Sequence, residues 1–175
     1  QTTMKKFFLY LMLIAPIFFS ACEGSEEITG KFEFTIDGTS YSFPLATFIK
    51  RDGKTIVTST DVSITGTVVF SGTSTGTYTL GLGASLPLAL LNLNGIESPT
   101  NNLFLYYKTE ESDSAFFSLF GNLNITEYSS DKVVGTFSGQ GLTKATVMGG
   151  DTNAIIAQVK PFSGTFTAKT VATSK

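Results

Sequence analysis

No histidine and no tryptophan occur in this chain, it has one cysteine, and charged residues are scarce. Without histidine the commonest general base is gone. So are Ser-His-Asp and Cys-His nucleophile arrangements and the usual zinc sites. A lone thiol forms no internal disulfide, so the fold rests on its apolar core. The missing tryptophan removes the usual stacking platform for sugars. Lysine and arginine number 12 against 14 acidic residues, and they form no cluster, which argues against nucleic acid as a partner. Low-complexity tracts, a domain-splitting linker and helix formers at helical spacing are lacking too.

What remains is rich in Thr, Ser, Gly, Phe, Val and Ile, the composition of pleated, half-buried strands joined by short turns. Gly30 to Ile36 alternates strictly, with Phe32, Phe34 and Ile36 on one face and Lys31, Glu33 and Thr35 on the other. Asp37-Gly38 follows, a strong two-residue hairpin signal because both residues tolerate positive φ. Such a turn pairs Ile36 with Thr39, Phe34 with Tyr41 and Phe32 with Phe43, setting aromatic residues opposite one another.

Further strands are expected at short intervals. Phe48–Ile49 and Lys54–Thr60 flank the turn Arg51-Asp52-Gly53, and Val62–Phe70 points Val62, Ile64, Val68 and Phe70 inward. Thr77–Leu82 shares Tyr78, Leu80 and Leu82 on one face. Leu103–Lys108 and Ala115–Phe120 are apolar on both faces and therefore central, joined by the polar loop Thr109 to Ser114. Leu123–Tyr128, Lys132–Gly139, Ile155–Lys160 and Phe162–Ala168 complete the set. No crossover helix intervenes, so the expectation is all-β: a single antiparallel β-sandwich or flattened barrel of about ten strands. One motif recurs at unequal intervals: Gly66-Thr67-Val68, Gly76-Thr77-Tyr78, Gly135-Thr136-Phe137 and Gly164-Thr165-Phe166. A glycine there marks a bulge or a close backbone approach.

The N-terminal segment reads as targeting, not structure. Met4 is the expected start, followed by Lys5 and Lys6 and an apolar run from Phe7 to Phe19 that is too short for a spanning helix of ~20 residues. Phe19-Ser20-Ala21-Cys22 resembles the lipobox of bacterial lipoproteins, with Phe19 where leucine is usual. That resemblance implies diacylglyceryl transfer to the Cys22 thiol, cleavage before it, and acylation of the new amino group. Several acyl chains on one residue, each CH₂ worth roughly 0.8 kcal/mol, hold a protein firmly to a membrane. Residues 1–21 are thus a signal peptide, 22–29 the lipidated cysteine and a tether, and 30–175 the β domain.

The motifs Phe34-Thr35-Ile36-Asp37-Gly38, Gly76-Thr77-Tyr78-Thr79-Leu80, Asn124-Ile125-Thr126-Glu127-Tyr128, Gly135-Thr136-Phe137 and Gly164-Thr165-Phe166 resemble small β-rich lipoproteins of Bacteroidota, grouped as a domain family of unknown function. The resemblance implies an outer-membrane envelope lipoprotein and no activity. Glu23, Glu26 and Glu27 are similar to signals that send some such lipoproteins to the cell surface. Asp113-Ser114-Ala115 is similar to a protein O-glycosylation motif of the same bacteria, with Ser114 the acceptor.

Few residues offer chemistry. Ser129-Ser130-Asp131-Lys132 has Ser-x-x-Lys spacing, but in a turn and not at a helix start. Paired carboxylates for glycoside hydrolysis would come from Glu33, Glu97, Glu110, Glu111, Asp113 and Glu127, with nothing to face two of them across a cleft. Glu110-Glu111-Ser112-Asp113 and Gly149-Gly150-Asp151-Thr152-Asn153 read as turns before calcium loops, so no metal or cofactor is expected. In Leu86-Pro87-Leu88-Ala89-Leu90-Leu91-Asn92-Leu93, Ser85 caps a short helix that Gly95 ends, or the segment is a strand. Either would plug the open end of the sandwich, the alternative being a lid over a ligand mouth.

The expected protein is a non-catalytic module held to the cell envelope through lipid on Cys22, binding a glycan or an envelope protein. The alternatives are a carrier of a small apolar ligand in a barrel-like interior and, third, a carboxylate-based glycoside hydrolase. Cys22→Ser should abolish lipid labelling and release the protein from the membrane fraction. A mutant that stays membrane-bound with unchanged mass would contradict the anchor.

Overall fold

Asp37 and Gly38 take φ of 50° and 79°, and Asp52 and Gly53 take 52° and 75°. Both pairs therefore make the primed turns whose twist matches a two-residue hairpin. A computed structural model describes residues 30–81, 102–108, 111–148 and 158–170, the side chains of 112, 113, 147 and 148 excepted. Ten strands run β1 Lys31–Ile36, β2 Thr39–Phe43, β3 Thr47–Arg51, β4 Lys54–Thr60, β5 Ile64–Phe70, β6 Gly76–Gly81, β7 Leu103–Lys108, β8 Glu111–Tyr128, β9 Lys132–Thr143 and β10 Lys160–Thr170. A five-residue helix α1, Lys144–Met148, follows β9, and among the described residues no helix is long and apolar enough to cross a membrane.

The all-β expectation holds. Strands β10, β3, β4, β5, β7, β8 and β9 close into a seven-strand ring. β1, carrying β2, pairs along β10 as a branch, and β6 pairs along β8 as another. In the opening hairpin Ile36 faces Thr39, Phe34 faces Tyr41 and Phe32 faces Phe43, the register expected from the turn.

One pairing differs from the antiparallel expectation. β10 and β3 run parallel, Lys169 against Thr47 and Thr170 against Phe48. The reason is parity: alternating directions cannot close around an odd number of strands, so one contact in seven must be parallel. The two-residue length reflects competition, since β1 already occupies Phe162–Thr167 on that edge.

Other differences are local. Val62, expected inward, is 99% exposed. Asp61 and Ile64 exchange backbone hydrogen bonds at 2.8 and 3.4 Å, which makes Val62-Ser63 the turn between β4 and β5. Ala115–Phe120 and Leu123–Tyr128 are one strand and not two, because register shifts between Ser118 and Phe120 and between Ile125 and Glu127 absorb the irregularity. The polar loop before them shrinks, since Lys108 already pairs with Glu111. Gln158 and Val159 precede β10 outside any strand, and the rest of the expected strand from Ile155 lies outside the described residues. So do residues 1–29, Leu82, the segment Leu86–Leu93, and residues 149–153.

The interior is aromatic. Phe104 lies 4.7 Å from Phe137, 5.1 Å from Phe162, 5.3 Å from Phe34 and 6.3 Å from Phe116, between ring centroids. Each buried phenylalanine contributes ~1.5–3 kcal/mol from burial and each ring pair about 0.5–1.5 more. Three of the four recurring glycines make room for these rings. A Cβ on Gly135 would fall 2.8 Å from Phe166 Cζ, one on Gly66 2.9 Å from Phe34 Cε1, and one on Gly164 would strike the Phe137 ring. On β9 and β10, Gly-Thr-Phe is thus an interior gap, an outward threonine and an interior ring in succession, whereas Gly76 faces open space.

At one end of this cluster the Tyr106 hydroxyl is buried without a hydrogen-bond partner among the described residues. Burial pushes it above the ordinary tyrosine range, and the neighbouring Tyr41 adds to the effect. A second apolar cluster lies on the opposite face of β7 and β8: Leu103, Leu105 and Phe117, with Leu142 of β9.

Phe34 touches rings on two strands besides its own, Tyr41 on β2 at 4.9 Å and Tyr106 on β7 at 5.4 Å among them. Phe34→Ala should therefore cost ~3–5 kcal/mol in urea unfolding. Thr35→Ala, one residue on and facing out, should cost less than ~0.5 kcal/mol. Equal losses at the two positions would mean the register is wrong by one residue.

Candidate functional site

Because side chains alternate along a strand, the residues between the buried phenylalanines all point outward. Across six strands, β2, β1, β10, β9, β8 and β6, the observed register lines these residues up in rows. One row is Ser40, Thr35, Ser163, Ser138, Asn122 and Thr79. The next is Ser42, Glu33, Thr165, Thr136, Asn124 and Thr77. Neighbours within a row stand about 4.8 Å apart, and the rows are about 6.8 Å apart along the strands. The five strands from β2 to β8 wall a groove of about 560 Å³, lined by the Ser, Thr and Asn residues of these rows, by Glu33 as its one carboxylate, and by Phe34, Tyr41, Phe137 and Gly164 between them.

Part of this lining is tied internally. The Thr35 and Ser40 hydroxyls are 3.1 Å apart, and Ser42 donates to Glu33 at 3.2 Å. The middle of the groove is different: Asn122, Thr136, Ser138, Ser163 and Thr165 have no side-chain hydrogen-bond partner among the described residues. Those hydroxyls and amides are both donors and acceptors, left to water or a ligand.

Apart from Glu33, charge is confined to the margin. Lys31 Nζ lies 2.8 Å from Glu33 Oε1, one row toward the start of β1. At the hairpin end Lys160 pairs with Asp37 at 2.9 Å, and near the end of β8 Lys132 pairs with Glu127 at 2.9 Å. Lys31 holds the Glu33 carboxyl below its ordinary value of 4.5, with burial opposing and the Ser42 hydroxyl assisting.

Beyond the first row, on the hairpin side, the outward positions are Pro161, Gln140, Phe120 and Gly81. Phe120 is 54% exposed there, two residues along β8 from Asn122.

Of the carboxylates considered for catalysis, Glu33 lines the groove, Glu127 is held by Lys132, and Glu111 by Lys108 at 3.3 Å. Glu97 and Glu110 lie outside the described residues, as does the side chain of Asp113. Among the described residues no three acidic side chains gather as cation ligands. In the Ser-x-x-Lys turn, Ser129 donates to Asp131 at 2.7 Å and to the Lys132 carbonyl, while the Lys132 ammonium sits on Glu127. The serine holds a turn together and keeps the Asp131 carboxyl below its ordinary range. Ser114 is half-buried on β8 and donates to the Glu111 carbonyl at 2.7 Å. Cys22 lies outside the described residues.

No sequence motif marked the groove as a site, yet one signal bore on it. Thr77, Thr136 and Thr165, the middle residues of three Gly-Thr-aromatic motifs, fall in the same row. Thr67, in the fourth, is buried on β5, outside these six strands. The recurrence records shared register, which unequal spacing along the chain concealed. Neither a protein-family model nor a curated protein sequence matches this chain.

Since the folded value of Glu33 is depressed, its ion pair is complete above 4.5 and is lost as pH falls through that lower value. Carboxyl NMR should find the Glu33 midpoint below 4.5, and Lys31→Met should raise it. A midpoint indifferent to Lys31→Met would show that the pair does not form in solution.

Proposed function

We propose that this chain is a lipid-anchored, non-catalytic binding module of the bacterial cell envelope, and that the outer groove is where it binds. The observation that carries this is the row of hydroxyl and amide groups across β8, β9 and β10 that have no side-chain partner among the described residues. Convergent polar groups in a concave surface are what fix a ligand in place. The tether expected between Cys22 and Gly30 joins the fold at the start of β1, so the hairpin Asp37-Gly38 and Phe120 face away from the attachment point.

The two alternatives fit less well. A carrier of an apolar ligand needs interior volume, and the described interior is occupied by rings in mutual contact around Phe104. A glycoside hydrolase of the usual kind needs two carboxylates ~5–9.5 Å apart, and the groove lining holds Glu33 alone.

The test is amide NMR of the lipidated chain in detergent micelles, titrated separately with short neutral oligosaccharides and with a casein digest. At least one series should produce saturable shifts at Ser138, Ser163 and Asn122, and Ser138→Arg should remove them by filling the groove. Saturable shifts confined to core residues away from the groove, such as Phe104, Phe116 and Val68, or none in either series, would overturn the proposal.

A further inference from the structure

We infer that the ligand of this groove is an uncharged glycan, laid across the strands with one sugar ring stacked on Phe120. The inference rests on the groove being the binding site and adds the class of ligand. Sugar hydroxyls donate and accept at once, and so do the Ser, Thr and Asn side chains that line the two central rows. Those rows repeat every ~4.8 Å across the strands, a step the size of one pyranose ring. A chain of sugars running from β10 to β8 would meet Ser163, Ser138 and Asn122 in turn.

Other ligand classes fit the same surface poorly. An anionic polymer would meet the ionised Glu33 and no cation in the groove lining, since Lys31 stands outside it and is already paired. A cationic peptide would find a single carboxylate, partly neutralised by that lysine. Protein interfaces concentrate Trp, Tyr and Arg at their centres and are depleted in serine. The lining of this groove has four serines, no arginine and no tryptophan, and its one tyrosine, Tyr41, stands on the outer strand β2 and not at the centre.

Phe120 supplies what polar rows cannot. A pyranose presents C–H groups on its faces, and an exposed aromatic ring is the surface that takes them. The bulge between Ser118 and Phe120 resets β8 so that Phe120 points outward in line with Asn122 and Asn124. On one side its cross-strand neighbour is Gly81, which has no side chain to cover the ring. On the other is Gln140, followed by Pro161. The ring is half-exposed two residues along β8 from Asn122, which lines the groove, so a terminal or bending glycan would reach it.

The experiment is calorimetric titration of the lipidated chain in a detergent without sugar headgroups. The probes are short neutral gluco-, manno- and xylo-oligosaccharides, oligogalacturonate as the anionic glycan, and a casein digest. At least one neutral probe should bind saturably, and Phe120→Ala should weaken it about tenfold with unchanged melting temperature. Phe120→Tyr should restore it, and Asn122→Ala should weaken it several-fold. Preference for oligogalacturonate, or neutral binding indifferent to Phe120→Ala, would overturn the inference. Binding of the casein digest alone would overturn the glycan assignment and leave the binding module standing. Heat from no probe would overturn both.

Discussion

Aromatic rings can fill a seven-strand barrel only where the facing wall gives way, and the whole structure turns on that constraint. Phe137, Phe166 and Phe34 occupy space that a single methyl group at Gly164, Gly135 or Gly66 would close. Interiors pack at near-crystalline density, so glycine gaps and rings must be set together, strand against strand. With no disulfide to assist, this complementarity supplies most of what holds the strands in register. It has a second effect. A glycine and a ring both pointing inward leave the residue between them pointing outward, and across β9 and β10 that residue is threonine.

The breadth of the outer face follows from two long strands. β10 gives one edge first to β1 and then, for two residues, to β3. β8 likewise gives one edge to β7 over its first half and to β6 over its second. Each handover lets a strand leave the ring and extend the sheet beside it. Three strands of the barrel thereby become six strands of one outer surface, with the groove along its middle. Bulges in β8 let it serve both partners, and the Ser118 hydroxyl accepts the Phe104 N–H at 2.9 Å where the ladder shifts.

Short-range features were legible in the sequence and long-range ones were not. Asp37-Gly38 specified its hairpin down to the residue pair, because turn type and alternation depend only on neighbours. Leu103–Lys108 was placed centrally for a local reason, apolar residues on both faces, and β7 does lie between β5 and β8. Val62 continued an apolar alternation, yet the turn took it, since turn position is decided by which backbone groups pair. The parallel closure joins residues near opposite ends of the fold and follows from strand count alone. The groove was least legible: serine, threonine and asparagine on exposed strands are unremarkable until register aligns β8, β9 and β10. The motif shared by Thr77, Thr136 and Thr165 was visible but carried no meaning without that alignment.

A filled interior and a functional exterior are two sides of one claim. Xenon reports on the interior without disturbing it, because the gas enters apolar cavities large enough to hold a ligand. Under xenon pressure, side-chain resonances of Phe34, Phe104, Phe137 and Phe162 should show only small, linear, non-saturating shifts. Saturable shifts centred on those rings would reveal an apolar cavity and contradict the account, moving the binding site from the groove to the barrel.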